Sequence, residues 1–283
     1  MSETLQSINT TTAAVSDEAI LETFERLAIA AGRAIMEVYN SEITVTDKAD
    51  ASPVTQADRA AEKIILEGLR AAFSGVPCVA EEETSEGVIA PDLGRAFFVI
   101  DPLDGTKEFV KRRTDFTVNI ALVRDGAPEI GVVYAPCTGR FFAGRPGKAE
   151  AFEIVDGVAA GRRQIHVREG REPLTIVASR SHLTPETETF IKRVHAAEIV
   201  SVGSSLKFCL LASGEADLYP RFGRTMEWDT AAGDAVLRAA GGTTHTLDGA
   251  PLVYGKRNQA NDADFANPHF VSSGRIIDPA FMF

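Results

Sequence analysis

The chain is poor in the residues that mark secreted, zinc-binding or membrane-spanning proteins. Its 283 residues include three cysteines, Cys78, Cys137 and Cys209. They are odd in number, far apart and in no CxxC pair, so no disulfide framework or zinc site is indicated and a reducing compartment is the natural setting. No stretch approaches the roughly 18 consecutive apolar residues of a membrane span. Residues 1–16 are rich in Ser and Thr without a basic start and apolar run, and are expected to form a loose N-terminal tail. Cations are outnumbered: 29 Lys and Arg against 40 Asp and Glu give a formal charge of −11, and no basic run occurs. This argues against a nucleic-acid groove. The five histidines show no ligand spacing, and HExxH, GxSxG and Walker-type loops are absent. A cytoplasmic protein is expected, with a peripheral position at the inner membrane left open.

What is present is ample apolar material, 45% of the chain, enough for one large domain or two small ones. Ser16 reads as an N-cap, followed by apolar residues at Ile20, Leu21, Phe24, Leu27, Ala28, Ala31, Ile35 and Met36 with helical period. Thr55 opens a second helix, with Asp58 three residues on in the capping-box position. Short strands follow at Phe97–Ile100, Phe116–Arg124 and Glu129–Ala135, the last two joined across a hairpin signal, Asp125-Gly126. A Gly-punctuated strand-and-turn region spans 139–161. From Leu174 onward, strands at 174–178, 198–202 and 216–219 alternate with helices around 185–196, 204–213 and 229–240, a rhythm that favours parallel βαβ units. The expected division is a tail over 1–16, an α+β half over 17–165 and an α/β half over 166–283.

Chemistry is concentrated in Asp101-Pro102-Leu103-Asp104-Gly105-Thr106, directly behind the apolar run Ala96–Ile100. A proline-stiffened tight turn would hold Asp101 and Asp104 on one side with the Leu103 carbonyl between them, three oxygen ligands suited to a hard cation such as Mg²⁺. Gly105 and Thr106 offer N–H groups and a hydroxyl to a phosphate beside it. Glu81-Glu82-Glu83 at a strand end is compatible with a solvated acidic loop or with a carboxylate facing that cation. Asp229 and Asp58 have the same two readings, helix cap or site residue. Gly203-Ser204-Ser205-Leu206-Lys207 opens a helix after a strand, a position where anions or ribose hydroxyls are held. Lys48, Arg221 and Arg224 are candidates for charge toward a second phosphate or for ordinary surface positions.

Taken together, Ala80-Glu81-Glu82, DPLDGTKEF at 101–109, and EWDTAAG at 227–233 with Gly241-Gly242 resemble the inositol monophosphatase superfamily of Mg²⁺-dependent, lithium-sensitive phosphomonoesterases. KADASPVTQAD at 48–58, FTVNIALV at 116–123, SRSH at 179–182, GSSLKFCLLASGEADLYPRFG at 203–223 and NPHF at 267–270 are most similar to its CysQ-type bisphosphate nucleotidase branch. The resemblance covers nearly everything after residue 16. It implies a layered αβαβα sugar-phosphatase fold and two or three Mg²⁺ ions held by Glu81, Asp101, the Leu103 carbonyl, Asp104 and Asp229. It also implies water activation by Asp58 and Thr106, a phosphate cradle at Gly105 and Thr106, and nucleoside contacts from Ser204, Lys207 and Arg221. The implied substrate is a small nucleotide bisphosphate, adenosine 3',5'-bisphosphate or its sulfated relative PAPS. An inositol-phosphate or other sugar-phosphate phosphatase is the runner-up, a non-catalytic nucleotide or cation sensor a third reading, and monomer and homodimer both stay open.

Overall fold

The computed structural model describes residues 15–47, 53–170, 173–179, 184–194 and 198–275. Lys48, most of the expected tail and residues 180–182 of the SRSH motif lie outside them. Helix α1 (Asp17–Tyr39) is capped by Ser16, whose hydroxyl accepts from Ala19 N, and buries the apolar stripe read from the sequence. Strands β1 (Val45–Asp47) and β2 (Pro53–Thr55) form a small antiparallel ribbon leading into α2 (Gln56–Ala72). Thr55 and Asp58 close a reciprocal capping box at its start.

Seven strands then build the larger sheet in sequence order: β3 (Cys78–Ala80), β4 (Ala96–Asp104), β5 (Thr117–Arg124), β6 (Ala127–Ala135), β7 (Arg140–Arg145), β8 (Lys148–Val155) and β9 (Val158–Gln164). Only β3 and β4 run parallel. The β5–β6 hairpin turns on Asp125 and Gly126, with φ of 49° and 78°, the positive values a two-residue type I′ turn needs. Short helices α3 (Glu81–Ser85) and α4 (Thr106–Val110) leave the ends of β3 and β4.

The second sheet is mixed, in the order β11-β10-β12-β14-β13. Strands β10 (Thr175–Ser179), β11 (Glu198–Val202) and β12 (Leu218–Arg221) are parallel, as the alternating rhythm predicts. They are joined through α5 (Pro185–Arg193) and α6 (Leu206–Ala212). The parallel expectation stops there: after α7 (Ala231–Ala239), β13 (Thr243–Thr246) and β14 (Phe270–Ser273) add antiparallel strands.

Strands β4, β5 and β6 are buried on both faces, which is why they read as continuous apolar runs rather than alternating ones. Phe98, Ile100, Val118 and Ile120 pack against α1 and α2, whereas Phe97, Val99, Ala121 and Val133 pack against α6 and α7. Those two helices lie on Val177, Tyr219 and Phe270 of the second sheet, whose outer face carries Ile176 and Leu218 under α5. The result is the αβαβα stack. Helix α7 sits directly on a cross-strand glycine pair, Gly131 and Gly144. A Cβ at Gly131 would lie 2.6 Å from Ala232 O, and one at Gly144 would lie 2.7 Å from Val236 Cα. Among the described residues no helix is long and apolar enough to cross a membrane.

Candidate active site

The site forms where β3 and β4 end under α6 and the loop before α7. Strand β4 continues through Pro102 to Asp104 with a register shift between Asp101 and Asp104, so the expected tight turn is an irregular strand end. Proline is tolerated there because the shifted ladder makes no demand on its missing N–H. The turn itself comes one residue later, at Gly105 with φ of 99°, where a Cβ would approach Asp115 O to 3.0 Å. Leu103 turns its side chain into the core, its N–H donates to Asp101 Oδ1 at 3.0 Å, and its carbonyl accepts from Thr106 Oγ1 at 3.2 Å.

Carboxylate oxygens of Asp101, Asp104 and Asp229 lie within 4.8 Å of one another. Glu81 is the first residue of α3 and adjoins Asp101 through a side-chain hydrogen bond and its charge. Such crowding disfavours ionisation. Burial, then the charges of Glu81, Asp104 and Asp229, hold Asp101 well above the ordinary carboxylate range. Burial and the Asp104 charge lift Asp229 to about 7, against opposing help from Arg221 and Lys207. Asp104 is also raised by burial, with the Lys207 charge and the Ser205 hydrogen bonds pulling the other way. A hard divalent cation would relieve this repulsion, and an all-oxygen donor set fits one.

Two acidic features differ from their simplest readings. Asp229 is not the cap of α7: Thr230 occupies that position, and the Asp229 carboxylate accepts from Met226 N at 2.7 Å. The glutamate triplet is the first turn of α3 rather than a solvated loop, with Glu82 buried and Glu83 paired to Arg70 at 2.7 Å. Three acids are favourable at a helix N-terminus, where the free N–H groups lie.

Asp58 serves as cap and site residue at once. Its Oδ2 accepts from Thr55 N and Thr55 Oγ1, both at 2.7 Å, while Oδ1 accepts from Thr106 Oγ1 at 3.1 Å. Burial is the largest influence on the Asp58 carboxyl and raises its pKa, making it a stronger base than a surface aspartate.

On the opposite side lie Ser204, Lys207 and Arg221. Lys207 is buried, donates to Ser204 O, and has Nζ 5.3 Å from the centre of the Tyr219 ring. Burial pushes it down to about 8 although Asp104 favours its charge. Arg221 is buried and donates from Nη2 to Arg224 O at 3.1 Å. Its Nε, and the Ser204 hydroxyl oxygen, are buried polar atoms with no hydrogen-bond partner among the described residues. Arg224 is exposed and pairs with Asp262 at 3.1 Å, the ordinary surface alternative.

Three neighbours received no role of their own from the sequence, although Ser205 stands in the 203–207 segment read there as a place for an anion. Ser205 N donates to Asp104 Oδ2 at 2.6 Å, so the anion at the start of α6 is the protein's own aspartate. Asn119 Nδ2 donates to Ser205 Oγ at 2.9 Å; a polar residue within the apolar FTVNIALV run was its available signal. Glu62 lies four residues after Asp58, on the same face of α2, and takes Glu82 N and Glu83 N at 2.8 Å each.

A family model described as the inositol monophosphatase family matches residues 16–273. The chain belongs to the inositol monophosphatase family. It is 47% identical over 247 residues to the 3'(2'),5'-bisphosphate nucleotidase CysQ of Escherichia coli (strain K12), covering 87% of this chain and 96% of that one. The crystal structure of CysQ from Bacteroides thetaiotaomicron superposes with a TM-score of 0.75 at 35% identity, over 91% of this chain and 97% of the other. The Thermotoga maritima IMPase gives 0.72 at 25% identity, over 91% and 93%. The seven- and five-stranded sheets with their three helical layers are therefore this family's fold.

Proposed function

We propose that the protein is a Mg²⁺-dependent 3'(2'),5'-bisphosphate nucleotidase that hydrolyses the 3'-phosphate of adenosine 3',5'-bisphosphate to AMP and phosphate, with the sulfated nucleotide PAPS as a second substrate. The observation that carries this reading is the convergence of Asp101, Asp104 and Asp229 beside two buried cations, Lys207 and Arg221. One end of the site suits metal and phosphate; the other offers positive charge and unpaired polar atoms to the rest of a nucleotide. The curated relatives' name points to the same substrate.

Glu81, Asp101, the Leu103 carbonyl, Asp104 and Asp229 would hold the two or three ions. When bound, magnesium supplies charge neutralisation of the phosphate oxygens, a lowered pKa for the attacking water and stabilisation of the leaving oxygen. The chain's own part begins with Thr106. Its hydroxyl donates to Asp58 Oδ1, which leaves a lone pair free to accept from a water placed for in-line attack. As the water oxygen bonds to phosphorus, its proton passes through the Thr106 hydroxyl to Asp58, and the bond from phosphorus to the ribose 3'-oxygen breaks. The departing oxygen takes a proton from solvent. Gly105 and Thr106 cradle the phosphate, and Ser204, Lys207 and Arg221 hold the nucleoside side. The three free cysteines agree with a cytoplasmic setting.

A side-by-side assay decides between this and the inositol-phosphate alternative. Phosphate release from adenosine 3',5'-bisphosphate should greatly exceed that from inositol 1-phosphate and vanish without Mg²⁺. Preference for the inositol ester would transfer the reading to the runner-up, and nucleotide binding with no phosphate release would revive the sensor.

A further inference from the structure

The acids of the site come from different layers of the fold. Asp104 ends β4 on the seven-stranded sheet, whereas Asp229 lies in the loop before α7. Ser205, at the start of α6, touches both. Its N–H donates to Asp104 Oδ2 at 2.6 Å, and its hydroxyl lies 3.1 Å from the same oxygen and 2.8 Å from the Asp229 carbonyl oxygen. A hydroxyl carries one proton, so that proton is shared between two acceptors while the oxygen accepts from Asn119 Nδ2. Ser205 is 1% exposed, so water does not compete for these bonds. The preceding residue, Ser204, has φ of 49°, a left-handed conformation uncommon for a side chain larger than glycine. That turn aims the Ser205 N–H back at β4.

All the hydrogen bonds described for Asp104 fall on Oδ2: Ser205 N, Ser205 Oγ and Asn119 Nδ2 at 3.4 Å. The grip thus fixes the plane of the carboxylate from one side only. The same hydroxyl ties down the backbone of Asp229, whose carboxylate is anchored separately by Met226 N. One small side chain therefore sets the separation between two of the three clustered aspartates.

We propose that Ser205 is a positioning residue that spaces Asp104 and Asp229 for divalent cation and so sets the affinity of the site for metal. The proposal rests on the reading of the aspartate cluster as a cation site. It predicts an effect on metal binding that precedes any effect on chemistry, because Ser205 is placed against the acids and not against the Thr106–Asp58 pair.

The test is Ser205→Ala, which removes the hydroxyl and keeps the backbone bond to Asp104. Mn²⁺ binding is measured by calorimetry without substrate, and the Mg²⁺ activation constant is measured from phosphate release by the full chain. The expected result is Mn²⁺ affinity weaker by roughly 10–100-fold and a Mg²⁺ constant raised by a similar factor. kcat at saturating Mg²⁺ should remain near wild type and the melting temperature within a few degrees of it. Ser205→Thr, which restores a hydroxyl, should recover most of the affinity. Wild-type metal binding in Ser205→Ala, an unfolded variant, or a fall in kcat at unchanged metal affinity each overturns the proposal. Failure of the functional reading looks different: the wild-type protein itself would bind no Mn²⁺ or release no phosphate.

Discussion

Replacing Glu62 by Gln should weaken the fold and the site together, by amounts that follow from two hydrogen bonds. The Glu62 carboxylate is buried and receives Glu82 N on Oε2 and Glu83 N on Oε1, each at 2.8 Å. It closes the exposed N–H groups of α3, the helix whose first residue is Glu81. Glutamine keeps the shape but offers one acceptor, so one N–H must face an amide that itself donates. A buried donor left without a partner costs about 1–3 kcal/mol, and a bond to a charged acceptor is worth about the same. We therefore predict a loss of about 2 kcal/mol in denaturant unfolding at pH 8, above the value of about 7 to which burial lifts Glu62, so that the carboxylate is ionised. Because the first turn of α3 then loses its anchor, Glu81 should no longer be held against Asp101, and the Mg²⁺ activation constant should rise by roughly 10-fold or more. Both quantities come from one protein preparation, by urea titration and by phosphate release across a Mg²⁺ series. A Glu62→Gln protein with wild-type stability and a wild-type Mg²⁺ constant would refute the argument that this carboxylate positions Glu81.

Other consequences concern pH, charge and packing. Asp229 and Glu62 each stand at about 7 in the folded protein, and Asp58, Asp101 and Asp104 are raised as well. Their folded values exceed those of the unfolded chain, so the metal-free fold holds extra protons between about pH 4 and 7. The stability these groups contribute is fully present below that window, is lost as pH rises through 7, and should be restored at pH 8 by Mg²⁺; thermal melts that rise steadily from pH 6 to 8 without metal would contradict this. Lys207, held near 8, should lose its cation above that pH, so KM for the bisphosphate should climb there. Lys207→Gln should show KM raised by about 10-fold or more at pH 7, with the rise above pH 8 abolished. Gly131→Ala would drive a methyl into the backbone of α7 and should cost about 1–3 kcal/mol, read by chemical denaturation.

The sequence carries the helices α1 and α2 openly, since both are amphipathic with side-chain caps, and the Asp-Gly hairpin follows from its two positive φ values. The parallel core of the second sheet is equally plain, because strands and helices alternate at short intervals. β13 and β14 were not: Thr243–Thr246 is polar, and Phe270–Ser273 is a four-residue strand far from its partners in sequence. Within the site, Asp101 and Asp104 are visible because acids beside proline and glycine are hard to explain as core, whereas Asp58 and Asp229 read equally well as helix caps until the family resemblance gives them a role. Ser205 and Glu62 are hidden because their contribution depends on contacts to residues 101 and 20 positions away. A serine at a helix start and a glutamate on a helix face look ordinary until the partner strand is in place. The expected tight turn at Pro102 failed for a related reason: the ladder with β5 resumes at Asp104 across a register shift, so the chain stays extended through Pro102.

The most direct test of the account is diffraction from crystals soaked with Mn²⁺ and the products AMP and phosphate. Anomalous peaks should lie within bonding distance of the Asp101, Asp104 and Asp229 carboxylates, with phosphate against Gly105 and Thr106. An enzyme active in Mn²⁺ whose anomalous density lies elsewhere, with those three carboxylates bare, would contradict it.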